Sequence, residues 1–485
     1  MSTTAPLRPA ARPLAARAAA LRRWAALPVV LAGTAMVILD FFIVNVALPA
    51  MQSDLHAGAG AVEWVVAGYG LAMAAGLITG GRLGDLLGRR RMFAWGLVGF
   101  TLTSLACGVA PGAGVLVAAR VAQGAASALL MPQVLAILGV AYEGADRVKA
   151  FTAYALTLGL AAVAGQLIGG VLIELDLAGL GWRSCFLVNV PVGIAALALT
   201  RRTVPESRAP DATRLDLPGA ALVTAALVAV VLPLIEGRAH GWPAWTWASL
   251  AAAPVLLVAF GRSQRRLARR GGSPLVPPVL WEQRGFAPAV VTVVAFYATV
   301  ASTFLVLALY LQGGRGLSAL DSGLVFSVLG AGFLATSSWA GSGGPVVQRL
   351  GRQVLALGAG VRVVALLGLW LAVGHVGSGG SVAWLAVPLL LDGAGMGLVM
   401  GPLFTLVLAP VRPEHAGAAS GVLAAAQQVG NAVGIAAIGV VFYGALSAGP
   451  GPVAVPPAFR DAVLALAALG LVVVALVQRM PREES

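Results

Sequence analysis

Charge is what this sequence has least of. Of its 485 residues only 11% are charged and 59% are hydrophobic, against roughly 25% charged and 45–50% apolar in a soluble domain. A water-soluble globule is therefore excluded. Lysine is nearly missing, with Arg supplying almost all of the 32 basic residues. Cysteine is equally scarce: Cys107 and Cys185 fall inside or at the edge of apolar runs, which offers neither a disulfide framework nor a metal cluster. The four histidines, His56, His240, His375 and His415, read as loop residues away from Cys or acidic ligands, so no metal site and no cofactor are expected. A phosphate-binding glycine loop is also missing, which argues against transport or catalysis driven directly by a nucleotide.

The formal charge of +13 would ordinarily raise nucleic acid as a partner, so the placing of the basic residues decides. They sit in short clusters between apolar runs, the pattern of loops that orient membrane spans. The expected partner is the lipid bilayer, and nucleic acid is excluded. With about 20 apolar residues needed per crossing, the sequence offers fourteen candidate spans: 25–49, 63–80, 92–111, 114–138, 151–173, 184–200, 217–235, 244–260, 287–311, 322–342, 353–374, 381–408, 418–445 and 459–478. Before Trp24 the chain carries Arg8, Arg12, Arg17, Arg22 and Arg23 and no acid, as a signal peptide does. The apolar run that follows is too long for one and contains Asp40, which predicts an uncleaved first span behind a cytoplasmic tail.

With the N-terminus inside, the cytoplasmic segments receive Arg82 with Arg89 to Arg91, Arg147 with Lys149, the arginines from Arg201 to Arg214, those from Arg262 to Arg284, Arg349 with Arg352, Arg412, Arg479 and Arg482. Outside there remain Arg183, Arg238, Arg315 and Arg460. This bias supports an even span count with both termini cytoplasmic. The preference for Arg over Lys, with abundant Ala and Gly, points to a GC-rich bacterial genome and hence to a multi-pass protein of the bacterial inner membrane.

Internal repetition is present. The segment GRLGDLLGRR at Gly81–Arg90 has an echo, GPVVQRLGRQ, at Gly344–Gln353, and a similar offset sets Gly124 over Gly393 and Gly165–Gln166 over Gly430–Asn431. Spans 1–6 and 9–14 are thus two related six-helix halves, a construction common in transporters. The expected organisation is a tail (1–24), an N-terminal bundle (25–203), an inserted pair of spans with a basic linker (204–285), a C-terminal bundle (286–478) and a short tail (479–485).

GRLGDLLGRRR joins spans 2 and 3. Gly81, Gly84 and Gly88 permit a tight turn and close helix approach, Asp85 can meet a helix N-terminus or a basic side chain, and Arg89 and Arg90 anchor at headgroups. An ordinary basic loop is the alternative reading. The segment resembles the signature loop of the major facilitator superfamily, GxLaDrxGrkx. That resemblance implies an all-α polytopic fold of two six-helix bundles, here with two inserted helices to make fourteen, and a conformational latch between the halves with Asp85 and Arg89 as its charged parts.

Asp40 lies inside span 1 in ILDFFIVNVALPAM. A charge at that depth costs roughly 2.5–3.5 kcal/mol on insertion scales and is expected to face a cavity or a partner. The segment, with Asn45, is similar to the LDxTxxNVALP motif of the 14-span drug:proton antiporters, which makes Asp40 the first choice for the proton-titrating site; a paired structural carboxylate is the alternative. RVAQGAASALLMP in span 4 supplies Arg120, Gln123 and Gly124, and resembles the superfamily's RxxQGxgaA motif, associated with proton coupling. At a rise of 1.5 Å per residue, Asp40 and Arg120 fall at comparable depth, so a direct or water-mediated pair is available. Arg120 bracing backbone carbonyls is the other reading.

Span 5 carries LGLAAVAGQLIGGVLIE, whose small residues suit close helix packing. It also resembles the exporter motif gxxxGPxxGG, with Gln166 at the position of the Pro. Asn431, one turn beyond Gln427, is its counterpart in span 13. Asp392 falls near the middle of span 12 and reads as a second proton site, a counter-charge for cationic substrates, or a structural partner of Arg362. Phe296 and Tyr297 in span 9 suit the wall of a cavity for an amphipathic substrate, although packing or lipid contact explains aromatic residues there equally well. WRSCFLVNVPVG, PLVPPVLWEQRGFA and PEHAGAASGVLAAAQQVGNAVG extend the resemblance over most of the chain. It implies proton-coupled export of hydrophobic small molecules, such as drugs, dyes or antibiotics, by alternating access, with the proton gradient as energy source. The alternatives are an uptake symporter on the same fold, which Gln166 leaves open, and a polytopic lipid-modifying enzyme, which would need a polar catalytic cluster at one membrane face.

Overall fold

The computed structural model describes residues 12–208, 216–272, 274–283, 285–339, 349–408, 416–446 and 452–480, and contains no strand among them. In lipid every backbone amide and carbonyl must be satisfied within the protein, which leaves long helices as the economical way to cross. The long helices in chain order are α1 (Arg12–Asp54), α2 (Ala59–Leu87), α3 (Arg89–Gly108), α4 (Ala113–Ala141) and α5 (Gly144–Leu175). A sixth, α6, runs over Gly181–Thr203. There follow α7 (Leu217–Ala239), α8 (Ala244–Arg269), α9 (Phe286–Leu309), α10 (Ala319–Trp339), α11 (Gln353–Val376), α12 (Ala386–Leu408), α13 (Ala416–Leu446) and α14 (Val455–Gln478).

Thirteen of these are long and apolar enough to cross a membrane. The exception is α3, whose 20 residues open on three arginines and carry two threonines and a serine. It nevertheless packs between α4 and α6. The segment expected at 92–111 is therefore helical, but it lacks a membrane-length stretch as apolar as those of the other thirteen. The end of the expected span 322–342 lies outside the described residues beyond Trp339, as do the first half of the echo (344–348) and His415. His375 is not a loop residue: it sits in the last turn of α11, edge-on to Trp384 at 5.4 Å.

Packing repeats between the halves. In the first, α2 and α3 pack on α4, and α1 on α5; in the second, α10 and α11 pack on α12, and α9 on α13. The matched glycines sit at these crossings. A Cβ on Gly124 would lie 2.2 Å from the Tyr69 carbonyl oxygen of α2, and one on Gly393 1.8 Å from the Leu329 oxygen of α10. Likewise Gly165 meets the Leu39 oxygen of α1 at 2.9 Å and Gly430 the Val294 oxygen of α9 at 2.5 Å. Small residues let the backbones approach this closely, so the spacing seen in the sequence is a repeat of helix crossings.

The halves meet along α2 with α13, α5 with α10, and α1 with α9. At the end bearing the α1–α2 loop the seam is shut. There Gln312, in a π-helical turn that extends α9, donates to the Val46 oxygen of α1 at 2.9 Å, and the Glu63 carboxylate of α2 lies against Gly439 of α13. The inserted pair packs on itself, and α7 touches both α2 and α13, with Trp64 Nε1 donating to Glu236 at 2.7 Å. Its partner α8 leaves Trp247, Val255, Leu257 and Val258 exposed, a surface suited to lipid rather than water.

Candidate functional site

The sequence places Asp40 and Arg120 at similar depth on different helices, and α1 and α4 bring them together. Arg120 Nη1 lies 2.5 Å from Asp40 Oδ2, with both side chains 0% exposed. A buried charge pair is tolerated only when its remaining donors and acceptors are also met, and here all but Arg120 Nη2 find a partner among the described residues. Gln123, one turn along α4, donates to Asp40 Oδ1 at 3.1 Å and accepts from Arg120 at 2.6 Å. From α6, Asn189 also donates to Asp40 Oδ1, at 3.0 Å. Ser104 of α3 accepts from both amides, at 3.2 and 3.0 Å, and passes its own proton to the Phe186 oxygen. Arg120 Nε is held by the Val65 oxygen of α2 at 2.9 Å, and its guanidinium lies 4.2 Å over the Tyr69 ring, a favourable placement for a cation. The cluster thus draws on α1, α2, α3, α4 and α6.

Residues that the motifs singled out for resemblance alone acquire contacts here. Trp182 and Arg183 of the WRSC segment both donate to Asp54 Oδ2, at 3.0 and 2.7 Å, fixing α6 to the end of α1, and Asn189 follows from the same segment. Ser104 and Tyr69 carried no signal, because a lone neutral polar residue in an apolar run does not declare its partner.

The C-terminal half holds a second buried pair with the roles transposed. Arg362 of α11 donates through Nε to Asp392 Oδ1 of α12 at 2.8 Å, through Nη1 to Thr299 at 2.5 Å and through Nη2 to Thr303 at 3.5 Å. Phe296 lies under the same guanidinium at 5.3 Å. Of the readings open for Asp392, pairing with Arg362 is the observed geometry, while its Oδ2 has no hydrogen-bond partner among the described residues. Phe296 is therefore part of this cluster rather than an open wall. Tyr297 is packed under Gly430 and lies edge-on to Phe404.

The remaining candidates lie along the seam. Asn45 donates to the Phe41 and Phe42 oxygens of its own helix. Gln166 is buried in α5. Asn431 donates to Gln428 at 2.8 Å, and Gln428 in turn reaches Met73 of α2. The amide at this crossing is thus Gln428, while Gln427 is half-buried. Glu63, fully buried at the start of α2, was not singled out from sequence, although an acid at the edge of a span is itself a signal.

In the signature segment Gly88 closes α2 at φ 111°, a conformation that favours glycine. Gly351, its counterpart in the echo, is also at positive φ. Gly84 lies against the Gln133 side chain of α4, and Gly81 against Pro132. Asp85 pairs with Arg89 across the turn at 2.9 Å; Arg89 N donates to the Ser207 oxygen, and Arg90 N to Glu206 at 3.0 Å. In the described residues Arg89 and Arg90 of this loop thus bond to the segment 204–207 that follows α6, and Arg82 donates to the Pro274 oxygen of the linker after α8.

The sequence pattern of the Major Facilitator Superfamily matches residues 30–435. This chain belongs to that superfamily. A facilitator of this kind is a membrane transporter and not an enzyme, and its relatives agree. The chain is 40% identical over 432 residues to a probable actinorhodin transporter of Streptomyces coelicolor, covering 88% of this chain and 73% of that one. It is 36% identical over 461 residues to a cephamycin export protein of Amycolatopsis lactamdurans, covering 93% and 92%. Among solved structures, a bacterial homologue of the human lysosomal transporter Spinster, inward-facing and unoccupied, superposes with a TM-score of 0.68 at 14% identity, over 95% of this chain and 99% of that one. That likeness establishes the facilitator fold.

Proposed function

We propose that this facilitator exports hydrophobic or amphipathic small molecules from a bacterial cell in exchange for protons, with the Asp40–Arg120 cluster as the coupling site. The observation that carries the reading is a fully buried ion pair whose arginine has other acceptors in place. When Asp40 takes a proton, Arg120 keeps the Val65 oxygen and Gln123 Oε1 and the face of Tyr69, so neutralising the acid does not strand the base. Breaking a buried pair with no such reserve costs about 3–5 kcal/mol.

The carboxylate is also joined mechanically to the seam. Asp40 shares α1 with Phe42 and Val46, which face the other half through Phe304 and Gln312. A change in how α1 is held at Asp40 is thus delivered to the contact that shuts the α1–α2 end. In this reading that end faces outward and both termini are cytoplasmic. The bundles 25–203 and 286–478 rock about the seam, the inserted pair 204–285 bridges them, and Asp392 with Arg362 forms a second polar hub in the C-terminal half. The loop Gly81–Arg91 acts as a latch whose charges are, in this state, engaged with one another (Asp85 with Arg89) and with the segment that follows α6 (Arg90 with Glu206).

Relatives named for antibiotic transport and export support the direction. Everted membrane vesicles test it: with an inwardly acidic gradient imposed, a panel of hydrophobic cations and uncharged antibiotics is expected to accumulate, and collapsing the gradient is expected to stop it. Accumulation driven only by the opposite gradient would assign uptake symport instead. Indifference to the gradient for every compound would remove proton coupling.

A further inference from the structure

The seam between α1, α5, α9 and α10 combines two features that pure packing does not need. The first is aromatic. Phe304 of α9 and Phe326 of α10 lie parallel, with centroids 5.5 Å apart and planes at 6°, and Phe42 of α1 meets Phe304 edge-on at 4.9 Å. The group therefore spans both halves. The second is a set of unanswered polar atoms. Among the described residues, both side-chain polar atoms of Gln166, the Ser322 hydroxyl and Asn45 Oδ1 are buried without a hydrogen-bond partner, and Gln166 is only 2% exposed. Ser322 stands one turn before Phe326 on α10, and its neighbour Gly323 lies so close to α5 that a Cβ there would sit 2.7 Å from the Gln166 carbonyl oxygen.

Leaving such groups unpaired in a closed interface sacrifices their hydration with no return, and a leucine or alanine would seal the seam better. Small-molecule sites, by contrast, are mostly apolar and aromatic with a few converging polar groups. The polar atoms here are all neutral, an amide, a hydroxyl and an amide oxygen, so they offer donors and acceptors but no counter-charge. The two deep carboxylates that would draw a cation are already paired, Asp40 with Arg120 and Asp392 with Arg362.

We propose that this seam, as it opens, receives a planar, uncharged, oxygenated aromatic substrate, stacked on Phe304 and Phe326 and hydrogen-bonded to Gln166 and Ser322. Flat rings suit an offset stack, and carbonyl and hydroxyl groups on the ring edge answer the amide and the serine. The assignment rests on the transport reading above and narrows its substrate class.

The test is binding to the purified full-length protein in lipid nanodiscs, with three probes: 1,8-dihydroxyanthraquinone, anthracene as the same shape without oxygen, and tetraphenylphosphonium as a hydrophobic cation. Expected is tighter binding of the dihydroxyanthraquinone than of either other probe, a loss of about tenfold in its affinity for Gln166→Leu or Ser322→Ala, and no change for anthracene. Phe304→Leu is expected to weaken both flat probes. Because Gln166→Leu removes an unanswered buried amide, its unliganded melting temperature should equal or exceed that of the unaltered protein, which separates lost binding from misfolding. Equal or tighter binding of the phosphonium, or an unchanged affinity for the dihydroxyanthraquinone in both polar variants, would overturn the proposal. Vesicle transport keeps the two claims apart. Gradient-driven movement of the phosphonium without binding of the quinone leaves the export reading standing and removes this one, whereas Gln166-dependent binding without transport of any probe does the reverse.

Discussion

Removing the arginine alone and removing the whole pair have different consequences at the Asp40 site. Arg120→Ala leaves a carboxylate at 0% exposure with only two amide donors, Gln123 and Asn189, and a loss of about 3–5 kcal/mol is expected. Adding Asp40→Asn removes the stranded charge, so the double variant should recover most of its thermal stability while staying inactive in proton-driven transport; melting curves in detergent check the first statement and vesicle assays the second. If the double variant melts no higher than Arg120→Ala, the pair is not the unit described here. Asp40, Arg120 and Gln123 were legible because an intramembrane charge must find a partner and the two sat at equal depth. Asn189, Ser104 and Tyr69 were not, since neutral side chains in an apolar run leave their facing undetermined. The same holds for Gln427 and Gln428: α13 is so rich in Ala and Gly that its pattern has no polar face to say which of two adjacent amides, about 100° apart on a helix, turns to the seam.

At the scale of helices, the glycine repeat gives the sharpest expectation. On α4, Gly124 crosses α2 with a would-be Cβ at 2.2 Å from a backbone oxygen, whereas Gly114 on the same helix has open space around it. Gly124→Ala should therefore force α2 and α4 apart at about 1–3 kcal/mol, the usual cost of overpacking, and lower the melting temperature. Gly114→Ala should leave it unchanged or slightly raised, as expected for alanine in a helix. A similar melting temperature for the two variants would contradict the crossing. Helix positions were largely legible from apolar length, and the halves from the matched glycines. The ends were less so. α1 runs on to Asp54 and α3 begins at Arg89, because helices continue through polar residues at membrane edges where hydropathy has already fallen.

For the whole molecule, the seam is where sequence said least. The contacts that shut it, Gln312 to Val46, Glu63 against Gly439 and the Phe42–Phe304 pair, join residues far apart in sequence with no shared pattern. Nor does an inserted pair announce that α7 will lean on both halves. These contacts close one end of the transporter, and α1 connects the Asp40–Arg120 cluster, the proposed coupling site, to that closure. In the proposed mechanism Asp40 exchanges the proton that drives export. It is tested most directly with Asp40→Asn in everted vesicles, measuring gradient-driven accumulation and gradient-free exchange of one exported compound side by side. Accumulation is expected to fall to background while exchange persists, because in this mechanism the helices still rock when the acid is permanently neutral. Accumulation at the level of the unaltered protein would contradict it.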